Sequence, residues 1–284
     1  MEGVIIVDKP KGYTSHDAVN ILRKELQTKK VGHTGTLDPN ATGVLPVLVG
    51  EATKISKYLI EHDKEYIATI YLGAKTNTGD AEGEIIEEKP ITELKEETIK
   101  TVLNSFLGKQ MQTPPIYSAI KINGKKAYEY AREGQDIKLE SREIEIKSIE
   151  LISYENNEIT FNVECSKGTY IRVLCEDIAE KLGTVGYMKE LRRTKVDKFT
   201  IEESTTLEEI KCNKETTLEK IISIEQVFEE KSKIDLRPKG LELFLNGVQL
   251  TYELPDDIYR IYSEGKFIGL GMVKNKLLKR DIVI

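Results

Sequence analysis

An α+β fold is what the hydrophobic pattern of this 284-residue chain predicts. Apolar, β-branched runs alternate with stretches of helical spacing, but without the regular strand-helix-strand beat of a doubly wound sheet. From about Ile234 the texture shifts to short strands punctuated by glycine, which predicts a separate small β domain. Val4 to Val7 reads as a buried strand. Thr14 or Ser15 can cap a helix carrying Ala18, Val19, Leu22 and Leu26 on one face. Ala52 to Ile60 suits a short helix, and Tyr66 to Leu72, β-branched and aromatic, suits a strand that ends at Gly73. Thr92 is the expected cap of a helix presenting Ile99, Val102, Leu103 and Phe106, which Gly108 stops. Ile144 to Ile152 and Ile159 to Cys165 form two strands about a turn at Asn156-Asn157. Ile171, Leu174, Ile178 and Leu182 then mark an amphipathic helix closed by Gly183. In the last segment Gly247, Gly265, Gly269 and Gly271 separate Val248 to Leu250, Ile258 to Tyr262 and Phe267 to Val273. About fifty residues are too few to be very stable without docking on a neighbour.

Composition bounds the function. Hydrophobic residues make up 39% and charged residues 32%, ordinary for a soluble globular protein. Cys165, Cys175 and Cys212 are odd in number and lack Cys-x-x-Cys spacing, so reduced thiols are expected rather than disulfides or a zinc site. His16, His33 and His62 show no metal-ligand spacing either. The apolar run Val4 to Val7 is too short for a signal peptide or membrane span, and Asp8-Lys9-Pro10 cuts it off, so a cytoplasmic protein is expected. The net charge of −6 argues at first against a polyanionic partner. Its distribution removes much of that objection. Glu202 to Glu230 holds nine glutamates against three lysines, an excess equal to the whole net charge. Lys167 to Lys198 holds eight basic residues against five acidic ones. A basic face is available, although a solvated helix surface would have the same composition.

The most informative stretch is Gly32-His33-Thr34-Gly35-Thr36-Leu37-Asp38-Pro39-Asn40-Ala41-Thr42-Gly43, small and turn-forming with one carboxylate at its centre. Its glycines allow a ligand to lie against the main chain. Pro39 biases Asp38 toward an extended conformation and limits where the carboxylate points. An Asp-Pro pair alone would only start a turn. A phosphate-cradling loop is disfavoured, because no Gly-Lys-Ser/Thr follows and the loop runs into Val44 to Val49 rather than a helix.

Gly32 to Pro46 closely resembles the catalytic motif of pseudouridine synthases, specifically the TruB type that modifies uridine 55 in the T-loop of tRNA. Asp8 to Ser15, Lys64-Glu65-Tyr66 to Gly83, Thr113-Pro114-Pro115-Ile116-Tyr117-Ser118-Ala119 and Lys167-Gly168-Thr169-Tyr170-Ile171-Arg172 follow in the order that family uses, roughly the first four-fifths of the chain. The resemblance implies a large, mixed, mostly antiparallel sheet flanked by helices over 1–232. A PUA-like RNA-binding domain would span 233–284, and a mobile RNA-gripping insertion about 113–150. In that insertion Pro114-Pro115, Lys121, Lys125, Lys126, Tyr128, Tyr130 and Arg132 interleave basic and aromatic side chains.

Making pseudouridine breaks the N1–C1′ bond, turns the base over and joins C5 to C1′, so no cofactor is needed. A carboxylate suits the covalent step, being charged at neutral pH and a competent leaving group. By resemblance Asp38 is that nucleophile; attack at C1′, attack at C6 and elimination to a glycal all stay open. The target uridine must be flipped from its stack at a cost of a few kcal/mol. Tyr66 would offset this by stacking, worth roughly 1–3 kcal/mol, and its hydroxyl could move a proton. Arg172 would pair with Asp38, although charge pattern alone makes it a surface residue. Tyr170 and Leu191 would close the pocket, His33 would meet the substrate loop, and Lys9 and Asp80 would lie near the site. The partner expected is the tRNA T-arm, with no membrane or metal, and a monomer, since no long apolar seam is present. An RNA-binding folding factor and a synthase acting on ribosomal RNA are the rival readings.

Overall fold

The computed structural model describes residues 2–118, 120–122, 124–135 and 137–284; Ala119, part of the Thr113 to Ala119 motif, and the Arg132 side chain lie outside that description. The first strand, β1 (Gly3–Lys9), is buried along nearly its whole length, as its apolar run requires. Thr14 caps α1 (Ser15–Glu25) by accepting from the Asp17 N–H, and the Asp17 carboxylate returns the bond to the Thr14 N–H at 2.8 Å. The chain continues through β2 (Val31–His33), β3 (Thr42–Val49), a 3₁₀ turn over Gly50–Ile55, α2 (Ser56–Leu59), β4 (Lys64–Leu72), β5 (Ala74–Thr76) and β6 (Ile85–Glu88).

The next helix, α3 (Glu96–Asn104), starts later than Thr92 suggests: Lys95 is its cap, with Glu96 and Glu97 in the first turn. Two acids suit the positive end of the helix dipole, and here they outweigh a hydroxyl cap. Then come β7 (Gly108–Gln112), β8 (Lys121–Ile122), β9 (Lys125–Lys126), α4 (Ala127–Arg132), β10 (Arg142–Glu155) and β11 (Glu158–Cys165). The turn between the last two places Asn156 and Asn157 at φ 51° and 66°, as a tight hairpin of this hand demands. Past them lie α5 (Ile171–Lys181), β12 (Gly186–Val196), β13 (Phe199–Thr200) and β14 (Thr205–Thr206). Gly183 follows α5 at φ 85°, the left-handed stop its position predicts.

Among the described residues the strands from β1 to β14, excepting two small hairpins, form one ten-stranded sheet. Its order is β14-β1-β3-β12-β4-β11-β10-β7, with β2 on β3 and β13 on β12. Only β1 with β14 and β12 with β3 run parallel; the other pairs are antiparallel. The sheet is therefore mixed and mostly antiparallel. Helix α5 and α3 cover one part of it through Ile99, Leu103, Phe161, Leu174 and Ile178, while α1 covers the part built on β1 and β3 through Ala18, Val19 and Leu22. Within the expected insertion the main sheet resumes at Arg142, so only 113–141 stands outside it, as the β8-β9 hairpin and α4.

The C-terminal segment forms a second, five-stranded sheet. It comprises Lys233–Asp235, Leu250–Thr251, Asp257–Ser263, Lys266–Lys274 and Leu277–Val283, with a helix over Pro238–Leu245. Its last strand is absent from the sequence expectation, because Leu277-Leu278-Lys279-Arg280-Asp281 breaks the apolar alternation. Leu270 and Ile282 pack into one core with Val4, Ile6, Ile55 and Phe199, and Asp281 bonds Lys57 and the Tyr58 hydroxyl. This small sheet thus docks on the larger one.

Candidate active site

The loop between β2 and β3 is held to the body by bonds that leave its carboxylate outward. Ser15 Oγ accepts from the Leu37 N–H at 2.9 Å and donates to the Leu37 carbonyl at 3.1 Å, with Ser15 itself buried. Lys9, at 0% exposure, donates to the carbonyls of Pro10 (3.0 Å), Tyr13 (2.6 Å) and Pro39 (3.1 Å). Burial pulls its pKa down to about 8, against the raising influence of Asp38. The loop is thereby tied on both sides of Asp38. Gly43, at φ 103°, allows the main chain to press on β12: a Cβ there would lie 2.1 Å from the Arg193 carbonyl oxygen.

Asp38 keeps 42% of its side chain exposed and faces Arg172, which is 8% exposed; Arg172 Nε lies 3.2 Å from Asp38 Oδ2. The remaining guanidinium nitrogens are also committed. Nη1 donates to the Thr78 carbonyl (3.1 Å) and lies 3.7 Å from Asp80 Oδ2, and Nη2 donates to the Tyr117 carbonyl (2.9 Å). Asp80 in turn accepts from Thr78 Oγ1 (2.6 Å) and the Glu82 N–H (3.1 Å). A planar fork met by four acceptors has one orientation, and that orientation aims the Asp38 carboxylate.

Beneath this pair Tyr66 is buried on β4, and burial pushes its phenol up to about 12, with Arg193 pulling in the opposite direction. It is a neutral hydroxyl at physiological pH. Arg193 stands directly opposite Tyr66 in the β12-β4 register and bonds its side chain. The guanidinium, 1% exposed, also donates to the Val44 (2.7 Å) and Gly35 (3.2 Å) carbonyls. Its carbonyl contacts span both ends of the Asp38 loop.

These groups open on one cleft of about 1050 Å³, whose wall also includes His33, Tyr170 and Leu191. Burial holds the His33 imidazole below its ordinary pKa. Tyr170 is fixed through its backbone: its N–H donates to Gln112 Oε1 at 2.8 Å, and its carbonyl accepts from Gln112 Nε2 at 3.1 Å. The structure therefore brings Asp38, Tyr66, Arg172, His33, Tyr170, Leu191 and Asp80 to one cleft, with Lys9 behind its loop. Sequence reasoning missed Arg193, Ser15 and Gln112. For Arg193 a signal existed: two residues beyond Leu191 on one strand, it must share that face. Among the described residues no cluster of three or more His, Cys, Asp or Glu side chains is placed to hold a metal ion, and no helix is long and apolar enough to cross a membrane.

A carboxylate presented to an open cleft, oriented by a buried arginine and floored by a neutral tyrosine, can attack an electrophilic carbon and be displaced again. Comparison with known proteins shows which family the chain is similar to. Residues 23–171 match the TruB family pseudouridylate synthase N-terminal domain, and 172–228 match the tRNA pseudouridylate synthase B C-terminal domain. The chain is 43% identical to a tRNA pseudouridine synthase B of Alkaliphilus oremlandii over 284 aligned residues, covering 97% of this chain and 94% of that protein. It is 45% identical to a protein of the same name from Clostridium tetani, covering 95% of each. In fold it is similar to a chain from the structure of an H/ACA RNP bound to a substrate RNA containing 2′-deoxyuridine. That similarity has a TM-score of 0.73 at 24% identity, covering 99% of this chain and 85% of that one.

Proposed function

This chain belongs to the TruB family of pseudouridylate synthases, and we propose that it isomerises uridine 55 of the tRNA T-loop to pseudouridine with Asp38 as the nucleophile. The observation that carries the reading is the Asp38 carboxylate, half open to a cleft large enough for a flipped nucleotide and held by Arg172 at 3.2 Å. In the reaction N1 leaves C1′, the base turns over, C5 bonds to C1′, and the C5 proton departs while N1 gains one. No electron or water enters the balance. Asp38 forms and releases the covalent link; Arg172 keeps it ionised and oriented. Tyr66 stacks on the flipped base, and its hydroxyl, un-ionised at neutral pH, moves a proton. Tyr170 and Leu191 enclose the base, His33 meets the T-loop, and Asp80 holds Arg172 from behind.

The insertion at 113–141 would grip the arm and 233–284 would add RNA-binding surface, in a cytoplasmic monomer. Lys125 and Lys126 lie over the rings of Tyr130 and Tyr128 at 4.7 and 5.4 Å, a basic and aromatic surface suited to backbone and bases. Asp38→Asn tests the reading with an isolated T-arm stem-loop. Pseudouridine should vanish while RNA affinity stays near normal; product that persists removes Asp38 from the nucleophile's role.

A further inference from the structure

The cations on the cleft wall differ in whether the protein satisfies them. Arg172 and Arg193 meet the acceptors described above, Lys64 Nζ donates to the His62 carbonyl at 2.6 Å, and Lys167 pairs with Glu61. Arg142, the first residue of β10, lines the same cleft, yet among the described residues its side chain makes no ion pair and no hydrogen bond. Its Nε is buried without a partner. The adjoining Glu143 is engaged by Lys109 at 3.0 Å.

This side chain is nonetheless held in place. The guanidinium carbon sits 5.0 Å from the centroid of the Tyr170 ring. On another side it rests against Gly168, where a Cβ would come within 3.4 Å of it. Gln112, opposite Arg142 in the β10-β7 register, clasps the Tyr170 backbone, so strand and ring are braced together. A guanidinium stacked on an aromatic face keeps its edge N–H groups for bonds in the plane, where two phosphate oxygens fit them. Leaving such a donor partly desolvated and unmet is costly, and the cost is recovered when an anion arrives. Bases are uncharged; the anions that must enter the cleft with a flipped nucleotide are its flanking phosphates.

We propose that Arg142 is a substrate-binding residue that clamps a backbone phosphate beside the flipped nucleotide from the Tyr170 wall. The proposal rests on the tRNA reading above and adds to it a named anion contact. The test uses the full chain, a T-arm stem-loop, and the same stem-loop with the phosphates flanking the target uridine replaced one at a time by uncharged methylphosphonates. Arg142→Ala should weaken binding about tenfold near 0.1 M salt. It should also reduce the slope of log affinity against log salt by about 0.7 to 0.9, the signature of one lost phosphate contact. KM should rise by more than kcat falls. At one methylphosphonate position the wild-type affinity should drop to the Arg142→Ala level, and the variant should lose nothing more there. Arg142→Lys, which keeps the charge but not the fork, should retain the slope with an intermediate affinity.

An unchanged slope, or losses from variant and methylphosphonate that multiply at every position, would overturn the phosphate clamp. A fall in kcat alone would do the same and reduce Arg142 to a prop for Tyr170. A wild-type protein that neither binds nor converts the stem-loop would defeat the tRNA reading itself, and the clamp with it. Conversion by the wild type with no change of slope in the variant would defeat the clamp alone.

Discussion

Replacing Arg172 by lysine keeps the charge and removes the fork, and the structure says what that costs. Three guanidinium nitrogens serve Asp38, Asp80, Thr78 and Tyr117 at 2.9 to 3.7 Å. One ammonium cannot reach acceptors set around a plane, so at least two lose their partner. Asp80 keeps Thr78 and Glu82, and Asp38 is open to water, so neither carboxylate is stranded. The loss falls on the Thr78 and Tyr117 carbonyls, at about 1–1.5 kcal/mol each after allowing for water, or about 2–3 kcal/mol together. For a chain of this size that lowers the melting temperature by about 3–5 °C. The chemical effect should be larger, because Asp38 loses the group that aims it, and misplacing a nucleophile by about 1 Å costs on the order of 100-fold in rate. Release of tritium from C5-labelled uridine in a stem-loop under single-turnover conditions reads the rate directly, since C5 loses its hydrogen in the product. A rate within about fivefold of wild type, with a melting temperature within about 1 °C, would refute the claim that fork geometry orients Asp38.

Gly43→Ala places a Cβ 2.1 Å from the Arg193 carbonyl oxygen at a φ of 103°, so it should destabilise by more than about 3 kcal/mol; a thermal melt within a few degrees of wild type would contradict the close packing of β3 on β12. Tyr66→Phe should change the alkaline stability profile. With the folded phenol at about 12 and the unfolded one near 10, the unfolded chain loses its proton first. Stability from this group is thus complete below pH 10 and falls by about 1.4 kcal/mol per pH unit up to pH 12. Urea titrations between pH 9 and 12 should show a shallower decline in the variant, and parallel declines would show that Tyr66 ionises normally.

Local chemistry was legible where near neighbours decide it. The Thr14 cap, the Asn156-Asn157 turn and the Gly183 stop stand where their residue types predict, because each depends on the backbone a few positions away. Where two local signals competed, as between Thr92 and the acids at Glu96 and Glu97, the boundary moved to Lys95. The Asp38 loop announced itself through its glycines and proline. Arg172 did not: on helical charge pattern it belongs at the surface, and only resemblance to the pseudouridine synthases brought it to Asp38. It is buried because the start of α5 is pressed against Thr78, Tyr117 and the Asp38 loop, which come from three separate stretches of chain.

By itself, then, the amino-acid sequence determined several of the helices, strands and turns, the reactive loop and, through its motifs, the family, since turn preference, capping and hydrophobic period act over a few residues. The tertiary structure alone decided that Gln112 holds Tyr170 and that the Arg142 guanidinium lines the cleft with its Nε buried and unmet by any group among the described residues. Those facts depend on strand order and register, which set distant side chains face to face and have no signature in the spacing of neighbouring residues.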